Sequence, residues 1–194
     1  MMKAEYNATN PAVKLLGNFL PNRNENDPQN DPLDSIEWSK PKASLTLEQM
    51  CDTLEEGLRN REWFVTGRAL PELFSDDFAF QDPDVQLRGI EQYSRQVRRL
   101  FDQSTARAEI ISCNLDGEER LIRVVWRLSG SVNLLGGVHL KPFVVTTRLS
   151  VDATGLINFQ EDEFSIPGYD ILLSAFFPVL RPWLAPAAPP LDRM

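Results

Sequence analysis

The sequence predicts an α+β fold in which a curved antiparallel sheet wraps around helices that precede it. Three observations carry this. Between residues 46 and 101 apolar residues recur mostly at helical spacing; from about 106 to 164 they alternate with period two through four long segments; and one short apolar strand, Phe78-Ala79-Phe80, is embedded among the helices. Consecutive long strands with tight turns form a meander, and the helices have to cover one of its faces. Strands of this length bend around the helices and leave a cone-shaped interior, a ready-made pocket.

The first helix starts at Thr46. Thr46-Leu47-Glu48-Gln49 matches a capping box, in which the Thr hydroxyl accepts a free backbone amide and Gln49 reaches back. Leu47, Met50, Cys51, Leu54 and Leu58 then form one apolar face, with Glu55, Glu56, Arg59 and Asn60 mostly opposite. Gly67 punctuates, and a second short helix is expected from Ala69 to Phe74, with Pro71 near its start where a missing amide is harmless. The Phe78 strand ends in Gln81-Asp82-Pro83, a turn-rich link follows, and Gly89 opens a helix from about Ile90 to Phe101. Ile90, Tyr93, Val97, Leu100 and Phe101 supply its core face.

The period then becomes two. A strand over 106–115 holds Ile110 and Ile111, and Asp116-Gly117 reads as a turn. The next strand, 120–131, sets Ile122, Val124, Trp126 and Leu128 on one face against Leu121, Arg123, Val125 and Arg127. Arg123 and Arg127 are expected on the solvent side or paired with acids of a neighbouring strand. A Gly136-Gly137 loop leads into a long strand, Val138 to Val151, with Phe143, Val145, Thr147, Leu149 and Val151 on one face. Ala153-Thr154-Gly155 turns the chain into a last strand, Leu156 to Phe164.

Three regions follow: a flexible N-terminal arm, 1–43; the folded domain, 46–165; and an apolar, Pro-rich C-terminal tail, 166–194. The run from Asn22 to Asp34 is almost wholly polar, with two prolines, and buries too little apolar surface to offset chain entropy. Leu15, Leu16, Phe19, Leu20 and Trp38 are candidates for docking pieces of the arm. In the tail, Ile171 to Leu180 is mostly apolar, but ten helical residues span only about 15 Å, half a bilayer core, which excludes a transmembrane span. Packing on the cone mouth, a subunit interface, and a shallow membrane-surface anchor with Arg181 and Trp183 at the headgroups all remain open. Ala185 to Pro190 should be extended and mobile.

The chain has 194 residues, 42% of them hydrophobic and 25% charged, enough for one domain whose core needs no disulfide or metal staple. A net charge of −8 argues against nonspecific nucleic-acid binding, so Arg95, Arg98 and Arg99 on one helix read as a solvated face. Cys51 and Cys113 belong to no metal-spaced pair and read as reduced, buried thiols. The N-terminus shows neither a secretory signal nor an organelle leader, so a soluble intracellular protein is expected and the sequon Asn7-Ala8-Thr9 carries no meaning.

The order of elements, Leu73-Phe74-Ser75-Asp76-Asp77-Phe78 running into Asp82-Pro83, Gly89 opening the next helix, and Gly155-Leu156-Ile157 leading to Glu161-Asp162-Glu163 together resemble the nuclear transport factor 2-like superfamily. That superfamily includes SnoaL-like polyketide cyclases and ketosteroid isomerases and has a cystatin-like cone, or α+β barrel. The resemblance spans roughly residues 46–165. More narrowly, the chain is similar to domain-of-unknown-function family 2358, found in photosynthetic organisms. That likeness implies no assigned reaction and adds the plastid stroma to the cytoplasm as an expected setting.

Asp82 is the first candidate for chemistry. In similar cones a carboxylate near this position faces the pocket as a base or polar ligand. Burial among Phe78, Phe80 and Trp126 would raise its pKa toward the useful range; the other reading is that its side chain only caps the turn. Glu161, Asp162 and Glu163 form a second cluster. Alternation puts Glu161 and Glu163 on one face and Asp162, with Gln160 and Phe164, on the other, without fixing which face is inward. Edge-strand solubility competes with acid–base work for these residues. Tyr93 is a candidate to steady an enolate. Phe80, Trp126, His139, Phe143 and Thr147 are candidate pocket-lining residues, against plain core for the aromatics and a loop-rim position for His139. A single histidine excludes multi-histidine metal sites, and no Gly-rich phosphate loop, Gly-x-Ser-x-Gly elbow or Cys-His pair is present, so no metal and no cofactor is expected.

Three functions follow. The first expectation is a non-catalytic binding or assembly module with a small apolar ligand, or with a protein partner or second copy held by the sheet face, arm or tail. The alternative is a cofactor-independent isomerase or cyclase with Asp82 as general base; peripheral membrane attachment through 171–184 comes third. An open cavity reached by Asp82 and a second polar group separates the first two.

Overall fold

The computed structural model of the chain describes residues 7–8, 31–116, 118–134 and 137–194. The capping box forms as read: Thr46 Oγ1 accepts from Gln49 N at 3.2 Å, and Gln49 Oε1 accepts from Thr46 N at 3.0 Å. It opens helix α1, Leu47–Arg61, which buries Met50, Cys51, Leu54 and Leu58. Glu62, in a left-handed conformation, breaks the helix and starts a single turn, α2, Trp63–Thr66, which carries Trp63, Phe64 and Val65 into the core. No helix covers 69–74. Pro71–Leu73 forms a 3-10 turn, and Phe74 already belongs to a strand, because Ser75, Asp76 and Asp77 would put three polar residues in a row on a short helix.

That strand, β2, Phe74–Gln81, is longer than the apolar triplet alone suggested. The link after it is also structured: Val85–Arg88 forms β3, which folds back antiparallel on β2 with Phe80 opposite Leu87. A two-residue strand, β1, Asn7–Ala8, pairs with β3. Helix α3, Ile90–Leu100, follows, burying Ile90, Tyr93, Ser94 and Val97.

The meander is β4, Arg107–Asp116, β5, Leu121–Val132, β6, Val138–Val151, and β7, Ile157–Phe164. Its facing is as the alternation requires: Ile122, Val124, Trp126 and Leu128 of β5 and Phe143, Val145, Thr147, Leu149 and Val151 of β6 are all buried. Arg127 pairs with Glu109 across β4–β5, while Arg123 is exposed. The strand order is β1-β3-β2-β7-β6-β5-β4. Thus β2 joins the meander through its last strand, and that pairing is parallel. Register shifts interrupt four of the ladders, and such bulges bend a sheet into a curve. One coincides with Gly130 (φ +111°), where an added Cβ would lie 2.5 Å from the Ala106 Cα.

Of the expected flexible arm, residues 31–43 are packed on the domain. Leu33 is fully buried in a 3-10 turn capped by Asp31, Asp31 and Asp34 pair with Arg98 and Arg95 of α3, and Ala43 N donates to Glu72 O at 2.8 Å. One apolar side chain and two ion pairs fix a run that composition alone assigns to solvent. The candidate docking residues Leu15, Leu16, Phe19 and Leu20, the rest of the polar run, Thr9 of the sequon, and the turn residues Gly117 and Gly136 lie outside the described residues.

The tail packs back as helix α4, Gly168–Phe176, followed by a 3-10 stretch, Pro178–Trp183. Asp170 is buried against Lys141 of β6, and both hold Ala185, through Asp170 Oδ2 to its N–H at 2.9 Å and Lys141 Nζ to its carbonyl at 2.6 Å. Ala188 N donates to Pro142 O at 2.8 Å. Ala185 and Ala188 of the Pro-rich end are therefore hydrogen-bonded to the domain. Phe177, Val179 and Trp183 are exposed, Trp183 at 86%. Among the described residues no helix is long and apolar enough to cross a membrane.

Candidate active site

The cone is not packed solid. A cavity of about 220 Å³ lies between the sheet and the helices, walled by Phe64 of α2, Phe80 of β2, Tyr93 and Gln96 of α3, and Trp126 of β5. Leu172 of α4 reaches the same wall, so the tail helix helps to cover it. Two carboxylates, Asp82 and Asp162, interrupt the apolar lining.

Their neighbourhood follows from the parallel β2–β7 pair. Phe80 lies opposite Gln160 and Gln81 opposite Glu161, and one further step along this register brings Asp82 beside Asp162. Asp82 is both a turn cap and a cavity group. Its Oδ1 accepts from Asp84 N at 2.7 Å and Val85 N at 2.6 Å, closing the turn into β3. Oδ2 accepts neither bond. Burial raises the carboxyl to about 6, against the lowering effect of the two amides and with a further push from the Asp84 charge.

Asp162 takes the inward phase of β7, and Glu161 and Glu163 the outward one. Its Oδ1 accepts from Thr147 Oγ1 at 2.7 Å and from Gln160 Nε2 at 3.2 Å. Thr147 Oγ1 in turn accepts from Trp126 Nε1 at 2.9 Å, and Gln160 Nε2 donates to the Tyr93 hydroxyl oxygen at 3.1 Å. Burial lifts Asp162 to about 7, opposed by Thr147 and Gln160 and assisted by the negative charges of Asp82 and Glu161. Tyr93 is pushed well above its ordinary value, first by burial and then by the charge of Asp162, so it stays a neutral phenol.

Gln160 Oε1 is buried without a hydrogen-bond partner among the described residues. With the amide turned over, that oxygen would accept from the Tyr93 hydroxyl and from a protonated Asp162.

Four of the expected site residues are elsewhere or play a different part. Glu161 lies on the outer face with Glu163, where both meet Arg148, at 3.6 and 3.2 Å. His139 is exposed on the outer phase of β6, beside Ser131, because Leu140 takes the inward position. Phe143 is buried core, edge-on to Phe164 at 5.5 Å, and it is Phe164 that faces the cavity. Thr147 stands behind Asp162 rather than on the wall. Asp82, Asp162, Tyr93, Phe80 and Trp126 come together. Gln160, on the same face as Asp162 by its spacing of two, joins the site by bonding both Asp162 and Tyr93. Phe64 and Leu172 had no such signal, since α2 and the lie of the tail were not legible. No metal-binding cluster of three or more His, Cys, Asp or Glu occurs among the described residues.

No family model matches the chain, family 2358 included, and no curated protein sequence does. Solved structures similar to the chain are found. It is similar to a protein from Jannaschia sp. CCS1 provisionally assigned as a SnoaL-like polyketide cyclase, at 14% identity over 69% of this chain and 96% of that one, TM-score 0.49. It is also similar to a protein of unknown function with a cystatin-like fold from Methylobium petroleophilum PM1 (14% identity, 66% and 81% covered, TM-score 0.46). A third is a nuclear transport factor 2-like protein of unknown function from Cytophaga hutchinsonii (13% identity, 64% and 94% covered, TM-score 0.41). It is the chain's own bent meander, closed around α1, α2 and α3, that makes this α+β fold a cone.

Proposed function

We propose that the cavity is the active site of a cofactor-independent proton-transfer enzyme, of the isomerase or cyclase kind, acting on a small, mostly apolar carbonyl compound. The observation that carries this is the presence of Asp82 and Asp162 in one apolar cavity, with carboxyls raised to about 6 and about 7. The pair titrates in two steps, and between them one proton is shared by two carboxylates. Asp82, ionised first, takes a proton from the carbon next to the carbonyl. Asp162, still protonated, donates to the carbonyl oxygen and steadies the enolate, with the neutral Tyr93 phenol beside it. Returning the proton at another carbon completes an isomerisation. No Lys, Arg or His is among the cavity-lining residues, so these neutral donors have to stabilise the developing oxyanion.

The volume lies just below the range for drug-sized ligands, roughly 300–1,000 Å³, which favours a substrate of on the order of ten non-hydrogen atoms. A plain binding module, the first expectation from the sequence, gives no reason for two acids in an otherwise apolar lining. The test is carbon-bound hydrogen exchange in D2O, followed by NMR, on a panel of small cyclic ketones and enones at pH 6.5. Exchange above the buffer rate that falls at least about a hundredfold in Asp82→Asn supports the reading. Saturable binding of panel members with no exchange in the wild type sinks it in favour of the binding module.

A further inference from the structure

Cys51 and Cys113 are the two cysteines of the chain, and both are free. Neither touches the cavity. Cys51 is on the buried face of α1 and Cys113 on β4, 62 residues apart in sequence, and their sulfurs are 3.5 Å apart. We propose that they are a disulfide-forming pair that cross-links α1 to the sheet under peroxide.

A disulfide holds its sulfurs about 2.05 Å apart, so the pair has to close by roughly 1.5 Å, a movement that side-chain rotation can supply. Cys113 is half-exposed and Cys51 buried, so Cys113 meets the oxidant first. The Cys113 thiolate attacks one oxygen of hydrogen peroxide; the O–O bond breaks, hydroxide leaves and is protonated to water, and Cys113 becomes a sulfenic acid. Cys51 sulfur then attacks the Cys113 sulfur, the S–O bond breaks, and the hydroxyl departs with the Cys51 proton as a second water. Two thiols are oxidised by two electrons and one peroxide is reduced.

Burial raises both thiols above their ordinary range. Around them, the thiol–thiol contact pulls Cys51 down and pushes Cys113 up, the carboxylates of Asp52 and Glu55 push Cys51 up, Glu55 pushes Cys113 up, and Arg59 pulls Cys113 down. Few thiolates exist at neutral pH, so the bond forms slowly and faster as pH rises. A dithiol that is not stabilised as thiolate also gains little by being reduced, so the bond, once made, resists reduction. The pair is thus a slow, lasting staple rather than a fast sensor. The loop it closes holds Asp82 and Tyr93.

The test uses the full chain with millimolar hydrogen peroxide at pH 8 over several hours. Expected are the loss of two hydrogens from the intact mass, loss of both titratable thiols, and a linked Cys51–Cys113 peptide in a nonreducing digest. Tm should rise by about 5–15 °C. In Cys51→Ser, Cys113 should instead be trapped as a sulfenic acid by dimedone. Two thiols still titratable after treatment, intermolecular dimers, or over-oxidised Cys113 beside a free Cys51 in the wild type would each overturn the proposal. A linked peptide without a rise in Tm would overturn the staple.

Discussion

Thr147 donates its hydroxyl proton to Asp162 at 2.7 Å while its oxygen takes the Trp126 indole N–H at 2.9 Å. One buried hydroxyl thus fixes an aromatic wall of the cavity and an acid on it. Valine has nearly the same shape and neither function. Thr147→Val should cost about 1–3 kcal/mol, because the indole N–H is left buried without an acceptor. It also removes a hydrogen bond that favours the ionised carboxyl, so the Asp162 pKa should rise. The alkaline limb of the exchange rate should then move to higher pH. Urea melts and a pH–rate profile check both halves.

Asp162 should make the protein less stable as pH rises. Its folded pKa, about 7, lies above the unfolded value of about 3.9, so between these pH values the folded state holds more protons than the unfolded one. The contribution is complete below pH 4 and lost as pH climbs through 7. Asp82 acts in the same direction over the narrower window up to about 6. In Asp162→Asn, Tm relative to wild type should therefore improve from pH 5 to pH 8. Parallel Tm curves for the two proteins over that range would mean that Asp162 is not a buried acid.

The meander and the first helix were legible because each rests on a local pattern: Thr46 with Gln49 at the start of α1, and period two along 121–132 and 138–151. What local patterns cannot give is the neighbour of a strand. The alternation of Glu161, Asp162 and Glu163 separated their faces, but only the parallel pairing of β7 with β2 sets the inward phase and brings Asp162 to Asp82. The same limit hid β3, whose four residues follow an Asp-Pro-Asp turn and alternate too briefly to register, and α2, a single turn entered through a left-handed glutamate. His139 fell out because the β5–β6 ladder shifts register between Leu140 and Phe143, which reverses the phase set by Phe143, Val145 and Thr147 and turns Leu140 rather than His139 inward.

Gly130 tests the bend of the sheet. Its φ of +111° is a region that side chains avoid, and an added Cβ would meet backbone atoms of Thr105 and Ala106 at 2.5 Å. Gly130→Ala should destabilise by at least about 2 kcal/mol, combining backbone strain with a clash that no flexible side chain can relieve. Gly137, also at positive φ (+103°), has open space around its Cβ position, so Gly137→Ala should cost only the backbone part, about 1 kcal/mol. Equal midpoints for the two variants in urea would contradict the close approach of β5 to the 105–106 segment.

The buried pair of Lys141 and Asp170 should decide whether the tail stays on the cone. Burial by itself would raise the Asp170 carboxyl, yet the Lys141 ammonium and the Ala185 amide hold it below its ordinary value. Removing one partner leaves the other charged and buried, so Lys141→Met should cost about 3–5 kcal/mol locally. Because Asp170 opens α4 and Leu172 of that helix walls the cavity, the cost should appear as loosening of 168–188: faster chymotryptic cleavage after Tyr169 and Phe176, and weaker ligand retention. The double variant Lys141→Met, Asp170→Leu restores apolar packing and should recover much of the loss. Truncation at Gly168 is the poorer probe, since it strands Lys141 as well as removing the exposed apolar residues. Substituting only those, as in Val179→Ser with Trp183→Ser, should leave Tm within about 1–2 °C of wild type. If the double variant at Lys141 and Asp170 is as loose as Lys141→Met alone, the pair is not what holds α4 in place.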